Sequence, residues 1–357
     1  MTIALSHGGP TIYSSSTPSN QLLVGTIEGV VILERDGLGS PWRTAHRGLV
    51  HKHIHALMVE PGSGTIFAGA TRGSVHASID GGYTWELRDQ GLTQDDIYSL
   101  SWSRHDGGVR IFAGTEPAHL YSSDDLGFTW KEMEAMRSVD MSGWCFPAPP
   151  HIAHTKHINF HPNDPKTMFV SIEQGGLLKS ADFGESFDVM RGMDDDVHRT
   201  LINPEDPDRI YVTGGDGIYF TPNGGDSWEH WTTRQDPIGG YPDVMVMHPR
   251  QPEVMFVGAS RQDPGGWRAT HYAGSKISRS ADGGHTWSTV TAGVPDDMQT
   301  AFEAMCLEDW GDGFSLFNAT AAGEVWCSDD GGDSWYCAAS GLAPISKGDH
   351  YKYLIPA

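Results

Sequence analysis

A short box recurs along this chain, and its spacing limits the fold more than any other feature. Six clear copies run from Ser78 to Trp85 (S-x-D-x-G-x-T-W), Ser123 to Trp130, Ser180 to Phe187, Thr221 to Trp228, Ser280 to Trp287 and Ser328 to Trp335. A degenerate seventh copy, Arg35-Asp36-Gly37 to Trp42, lies one repeat before the first. A period of roughly 40–60 residues made of short strands is the mark of a β-propeller, with one four-stranded sheet per repeat. The box reads as a device for folding a hairpin. Its Asp accepts hydrogen bonds from N–H groups of its own turn, its glycines take conformations other residues resist, and its closing Trp buries a ring between sheets. Equivalent copies cannot each be an active site, so Asp80, Asp125, Asp182, Asp282 and Asp330 are read as structural.

The motif resembles the Asp-box, or BNR repeat, of sialidases, xyloglucan-specific glycosidases, the sortilin ectodomain and a photosystem II assembly factor. The resemblance covers nearly the whole chain. It implies an all-β fold: a single seven-bladed β-propeller over residues 1–357, with four antiparallel strands per blade. It does not imply one activity, because the group holds both hydrolases and pure binding proteins. The sialidase version departs from this sequence, since it needs three arginines converging on the substrate carboxylate and the inner ring has none.

The net charge of -22 argues against a nucleic acid or anionic membrane partner. There is no run of 18 apolar residues, and the first residues lack the basic and apolar regions of a secretory leader, so a cytoplasmic location is expected. Cys145, Cys306, Cys327 and Cys337 have no metal-type spacing. Cys327 and Cys337 flank one box and are the pair placed to face across its hairpin, but reduced thiols are expected in a cytosol.

Each repeat reads as an inner strand, a turn, two further strands around a loop, the box and an outer strand. Inner strands begin near residues 54, 97, 158, 198, 244 and 303, and a last one is read at 350–356. The N-terminal segment shows no inner strand of its own, so the C-terminal strand is expected to close the ring by joining the N-terminal blade, which removes exposed sheet edges.

Aligning the inner strands on the turn that follows them places His55, Tyr98, Lys156, His198, Asp243, Glu303 and His350 at one level. Two residues earlier lie His53, Asp96, His154, Asp196 and Tyr241, on the same face by the period of two. Two polar layers therefore line the channel mouth. Eighteen histidines is about twice ordinary usage, and imidazoles beside carboxylates are ligands for Zn, Fe, Mn or Cu. The expected ligand set for one divalent transition metal is drawn from His53, His55, His154, His157, His198 and His350. The insertions 131–153 and 260–275 are expected to rise over the same mouth, carrying Trp144, Phe146, Trp267, His271 and Tyr272. Glu116, His119, Glu173 and Asp216 lie on neighbouring loops.

These residues point to a metal-dependent enzyme, a hydrolase by default, acting on a small organic molecule; a lyase or oxygenase fits the same ligands. Asp243 and Glu303 would orient ligands or act as base, and Tyr98 and Lys156 would bind an oxyanion or a carboxylate. The alternatives are a non-catalytic scaffold for protein assembly and a glycoside hydrolase using Asp243 and Glu303, or Tyr98 with Glu303.

Overall fold

Every box occupies the turn between the third and fourth strands of a sheet. In the second blade the strands are Ile54–Val59, Ile66–Ala70, Ser74–Ser78 and Glu86–Leu87. There Ser78 Oγ donates to Asp80 Oδ1 at 2.8 Å, and Ser78 Oγ and Asp80 Oδ1 accept from the N–H groups of Gly82 and Thr84, each at 2.9 Å. Gly82 has φ +93° and a Cβ would lie 2.9 Å from Leu23, so only glycine closes the turn. The same bonds recur at Ser123, Ser180, Ser280 and Ser328, and Asn223 substitutes in the copy at Thr221.

The computed structural model describes residues 2–105, 107–146, 151–295 and 298–355. Its strands form seven sheets arranged as the blades of a propeller. The apolar cores lie between neighbouring sheets: Met58, Phe67, Leu100, Ile111, Tyr121 and Trp130, for example, fill the space between blades 2 and 3. Each such side chain contributes about 1.5–3 kcal/mol by leaving water. All four cysteines are free thiols. Cys327 pairs in register with Tyr336 and Trp326 with Cys337, so the two cysteines are not directly opposed.

Ring closure differs from the sequence expectation. Residues Tyr351–Leu354 form a helical turn, not a strand, and Pro356 lies outside the described residues. The N-terminus closes the ring instead. Thr2–Leu5 is the inner strand of blade 1 and runs parallel to Gln21–Thr26. Ile12–Ser14 then adds, also parallel, to the blade 7 inner strand Phe302–Asp309. Blades 2 to 6 are four-stranded and antiparallel throughout, whereas blade 1 holds a parallel pair and blade 7 a fifth strand. Three apolar residues, Ile3 to Leu5, before a polar segment carry no turn signal, and the strand pairs in parallel, without a hairpin turn to mark it, so local pattern did not reveal it.

Between those two strands the chain crosses the channel. The Gly8 N–H donates to the His55 carbonyl at 2.8 Å and the Leu100 N–H to the Gly8 carbonyl at 3.0 Å. The buried Arg199 guanidinium donates to the carbonyls of His7 and Gly9. A Cβ on Gly8 would lie 1.9 Å from the Tyr98 carbonyl oxygen and one on Gly9 2.0 Å from that of Leu57, so the Gly-Gly pair lets the arm touch two inner strands. The degenerate box completes the seam: Arg35 pairs with Asp329 at 2.7 Å and stacks over Trp42.

Candidate active site

Six inner strands share one irregularity, and it builds the site. Pairing with the second strand skips one residue in each: His55, Tyr98, Lys156, His198, Asp243 and Glu303. Each is the extra residue of a β-bulge, a device that re-aims a side chain and kinks the strand. These are six of the seven positions predicted for one channel layer, and all six are buried. The seventh, His350, does not sit on a strand. It enters from the C-terminal segment and places Nδ1 3.4 Å from Glu303. The residues two earlier stack above: His154 on Tyr98 with ring centroids 3.7 Å apart, Tyr241 against His198 at 4.7 Å, and His53 against His55 at 4.3 Å.

A ring of opposite charges occupies the axis. Lys156 Nζ lies 2.8 Å from Asp243 and 3.1 Å from Glu173. Lys347 Nζ lies 2.9 Å from Glu173 and 3.2 Å from Asp243. Burial alone would raise the pKa of Glu173 and Asp243, but the two ammonium groups outweigh it and hold both well below the usual carboxylate range. Burial pulls Lys156 below the lysine range, while Asp243 and Glu173 hold Lys347 above it against the same penalty. His154 Nε2 donates to Glu173 at 2.6 Å and its Nδ1 lies 3.3 Å from Glu116. Burial opposes charging this imidazole, yet the two carboxylates raise its pKa.

Above this ring is a cavity of about 300 Å³. Glu173 from the end of a second strand, Asp196 and Tyr241 from the start of inner strands and His350 from the C-terminal segment face it, with Phe146, Arg234, Asp263 and Arg268 from the surrounding loops and insertion. Both insertions therefore reach the mouth, as expected, although residues 147–150 of the first lie outside the described residues. The second folds into a helix, Pro264–Thr270, capped by the Asp263 side chain. Trp267 is fully buried beneath it against Tyr241 and His350. His271 Nδ1 donates to the Tyr353 carbonyl, which ties this helix to the C-terminal turn. Arg268 donates to the Tyr353 hydroxyl at 3.0 Å and has no carboxylate partner among the described residues. A larger groove of about 920 Å³ lies between blades 3 and 4 and holds none of these residues.

Comparison with known proteins agrees with this architecture. The family model for sortilin, neurotensin receptor 3, matches residues 175–305. No curated protein matches the sequence. Among solved structures, the GH74 xyloglucanase from Xanthomonas campestris superposes with a TM-score of 0.67 at 18% identity, over 95% of this chain and 55% of that one. An ancestral GH74 enzyme gives 0.62 at 13%, over 80% of this chain and 38% of that one. YCF48 from Cyanidioschyzon merolae gives 0.57 at 13%, over 90% and 95%. The chain is a seven-bladed Asp-box β-propeller. It spans only 38% to 55% of the length of those two GH74 structures.

In this Asp-box propeller the six predicted histidine ligands do not gather around one point. His53 Nε2 donates to the Ser346 carbonyl, and His55 Nε2 is bonded to Thr71 Oγ1. His154 is clamped by two carboxylates. His157 follows the bulge at Lys156 and lines a cavity below, with Pro10 and Ser101. Among the described residues, ligand atoms of three residues come within 4.8 Å of one another in two groups: Glu173, Asp196 and His198, and His7, Asp243 and Glu303. Asp243 and Glu303 are 3% and 0% exposed and neither lines the cavity, so they do not flank a sugar site there. Lys156 is spent on Asp243 and Glu173; Arg234, paired with Asp263, and Arg268 are the cations that face the cavity instead. Of the loop residues, Glu173 is central and Glu116 reaches His154, whereas His119 pairs with Glu132 and Asp216 with the Tyr219 hydroxyl.

The first group suits a metal. His198 donates Nδ1–H to the Pro242 carbonyl at 2.9 Å, which leaves the Nε2 lone pair free. That nitrogen and Asp196 Oδ1, 3.4 Å apart, are both buried without a hydrogen-bond partner.

Proposed function

We propose that this propeller is a metal-dependent hydrolase acting on a small anionic molecule bound in the cavity over the channel mouth. The observation that carries the reading is the pair of unpartnered atoms, His198 Nε2 and Asp196 Oδ1, beside Glu173 at the cavity floor. These three residues would hold a divalent transition metal, which when bound supplies a water acidic enough to attack at neutral pH. The chain's own residues do the rest. Arg268 binds the substrate's negative group, Tyr241 keeps its hydroxyl proton because burial raises its pKa, and Trp267 and Phe146 exclude water. The buried Lys156 and Lys347 hold Glu173 ionised and in place.

The test is metal analysis of untagged protein together with a hydrolysis screen over carboxylate-bearing esters, lactones and amides. His198→Ala is expected to lose one metal equivalent and all activity while remaining folded by circular dichroism. Activity retained with full metal content overturns the reading. Wild-type protein that stays metal-free and inert after growth in metal-supplemented medium favours a binding platform, the other kind of protein this fold serves.

A further inference from the structure

The second group lies deeper, where the N-terminal arm crosses the axis. His7 stands on the arm, and Asp243 and Glu303 are the bulged residues of blades 6 and 7. One ligand atom of each lies within 4.8 Å of the others, and the three residues are 2%, 3% and 0% exposed. His7 donates Nδ1–H to the Glu303 carbonyl at 2.9 Å, so its Nε2 carries the free lone pair. Lys156 and Lys347 both sit on Oδ1 of Asp243 and leave Oδ2 without a partner. The Lys347 backbone N–H takes Oε2 of Glu303 at 3.0 Å, and Oε1 has no hydrogen bond. His7 Nε2, Asp243 Oδ2 and Glu303 Oε1 are thus three buried acceptors that make no hydrogen bond, the last with His350 Nδ1 3.4 Å away. A buried acceptor left so is destabilising, and native proteins resolve such clusters with an ion or a water.

We infer that His7, Asp243 and Glu303 hold a second divalent cation, separate from the cavity floor, that staples the N-terminal arm into the channel. One imidazole with two carboxylates selects Zn²⁺ or Mn²⁺ over the all-oxygen preference of Ca²⁺ and Mg²⁺. The cation clips residue 7 to residues 243 and 303, so it closes the ring across nearly the whole chain, where a clip removes the most freedom from the unfolded state. Lys156, Lys347 and Arg199 oppose a cation here, and Asp243 favours one.

The experiment is metal analysis of untagged wild type, His7→Ala, Glu303→Gln and His198→Ala after growth with Zn²⁺ and Mn²⁺, with thermal unfolding before and after a chelator. Wild type is expected to hold two equivalents. His7→Ala and Glu303→Gln each lose one, and His198→Ala keeps that one. Chelation lowers the Tm of His198→Ala by more than that of His7→Ala, which keeps only the metal at the cavity floor. A wild type with one equivalent, lost in His7→Ala and kept in His198→Ala, upholds this site and removes the catalytic metal. If His7→Ala does not fold, the near-isosteric Glu303→Gln and the count in His198→Ala decide. Metal-free His198→Ala protein, or unchanged metal in Glu303→Gln, means that water fills the site and overturns the inference.

Discussion

Lys347 Nζ lies 2.9 Å from Glu173 Oε1 although 174 residues separate them, and the contact is closed to water. Lysine 347 comes from the segment after the last blade, which dips into the channel. Its ammonium and that of Lys156 alternate with Glu173 and Asp243. Replacing it with Met strands two buried carboxylates that have lost one counter-charge. Lys347→Met is expected to cost about 3–5 kcal/mol, as for other broken buried pairs. Urea unfolding measures this, and a loss under about 1 kcal/mol would show that the two carboxylates do not need this lysine.

Gly9→Ala tests the crossing of the arm. Its Cβ would meet the Leu57 carbonyl oxygen at 2.0 Å, and backbone cannot yield as a flexible side chain does. A loss of about 1–3 kcal/mol is expected, typical of overpacking. Gly37→Ala has open space around its Cβ and is the matched control. Equal Tm values for the two variants would contradict the crossing.

Asp96 supplies a pH signature. Burial, then Glu116, pushes its pKa up to about 7. The folded state therefore binds a proton that the unfolded state has released between the ordinary value near 3.8 and about 7. Stability from this group is complete below that window and declines as pH rises through it. Asp96→Asn should gain Tm over wild type at pH 8 relative to pH 5. A difference that does not change with pH rejects the assignment.

Arg35 and Asp329 tie the first blade to the last, with Arg35 fully buried. Arg35→Met is expected to cost about 3 kcal/mol, near the low end for a broken buried pair. Adding Asp329→Asn should restore part of that loss, because it removes the stranded charge. Strict additivity in this double-mutant cycle would mean that the pair is not coupled.

Much of the site was legible without coordinates. Tyr98, Lys156, His198, Asp243 and Glu303 fell at one offset from the turn after the inner strand, and the bulge falls at that same offset in every antiparallel blade. His157 was one residue too far and belongs to the lower mouth. Ordinary imidazole chemistry made all the channel histidines look like ligands, yet hydrogen bonds to Ser346, Thr71 and Glu173 had already engaged three of them. His7, Lys347 and Arg268 were missed because they sit on an arm, a plug and an insertion, where no strand period points inward. The Gly8-Gly9 pair beside His7 was the one available signal, since two glycines in a non-turn segment permit close backbone approach.

The boxes, the strand period and the seven-blade ring follow from residues close in sequence. A Ser-Asp-Gly-Thr turn is held by bonds spanning two to four residues, and a pleat alternates whatever surrounds it. Which chain end closes the ring, and which charges meet on its axis, follow instead from groups brought together across hundreds of residues. Desolvation and charge pairing act there through distance and burial, which exist only once the ring has formed.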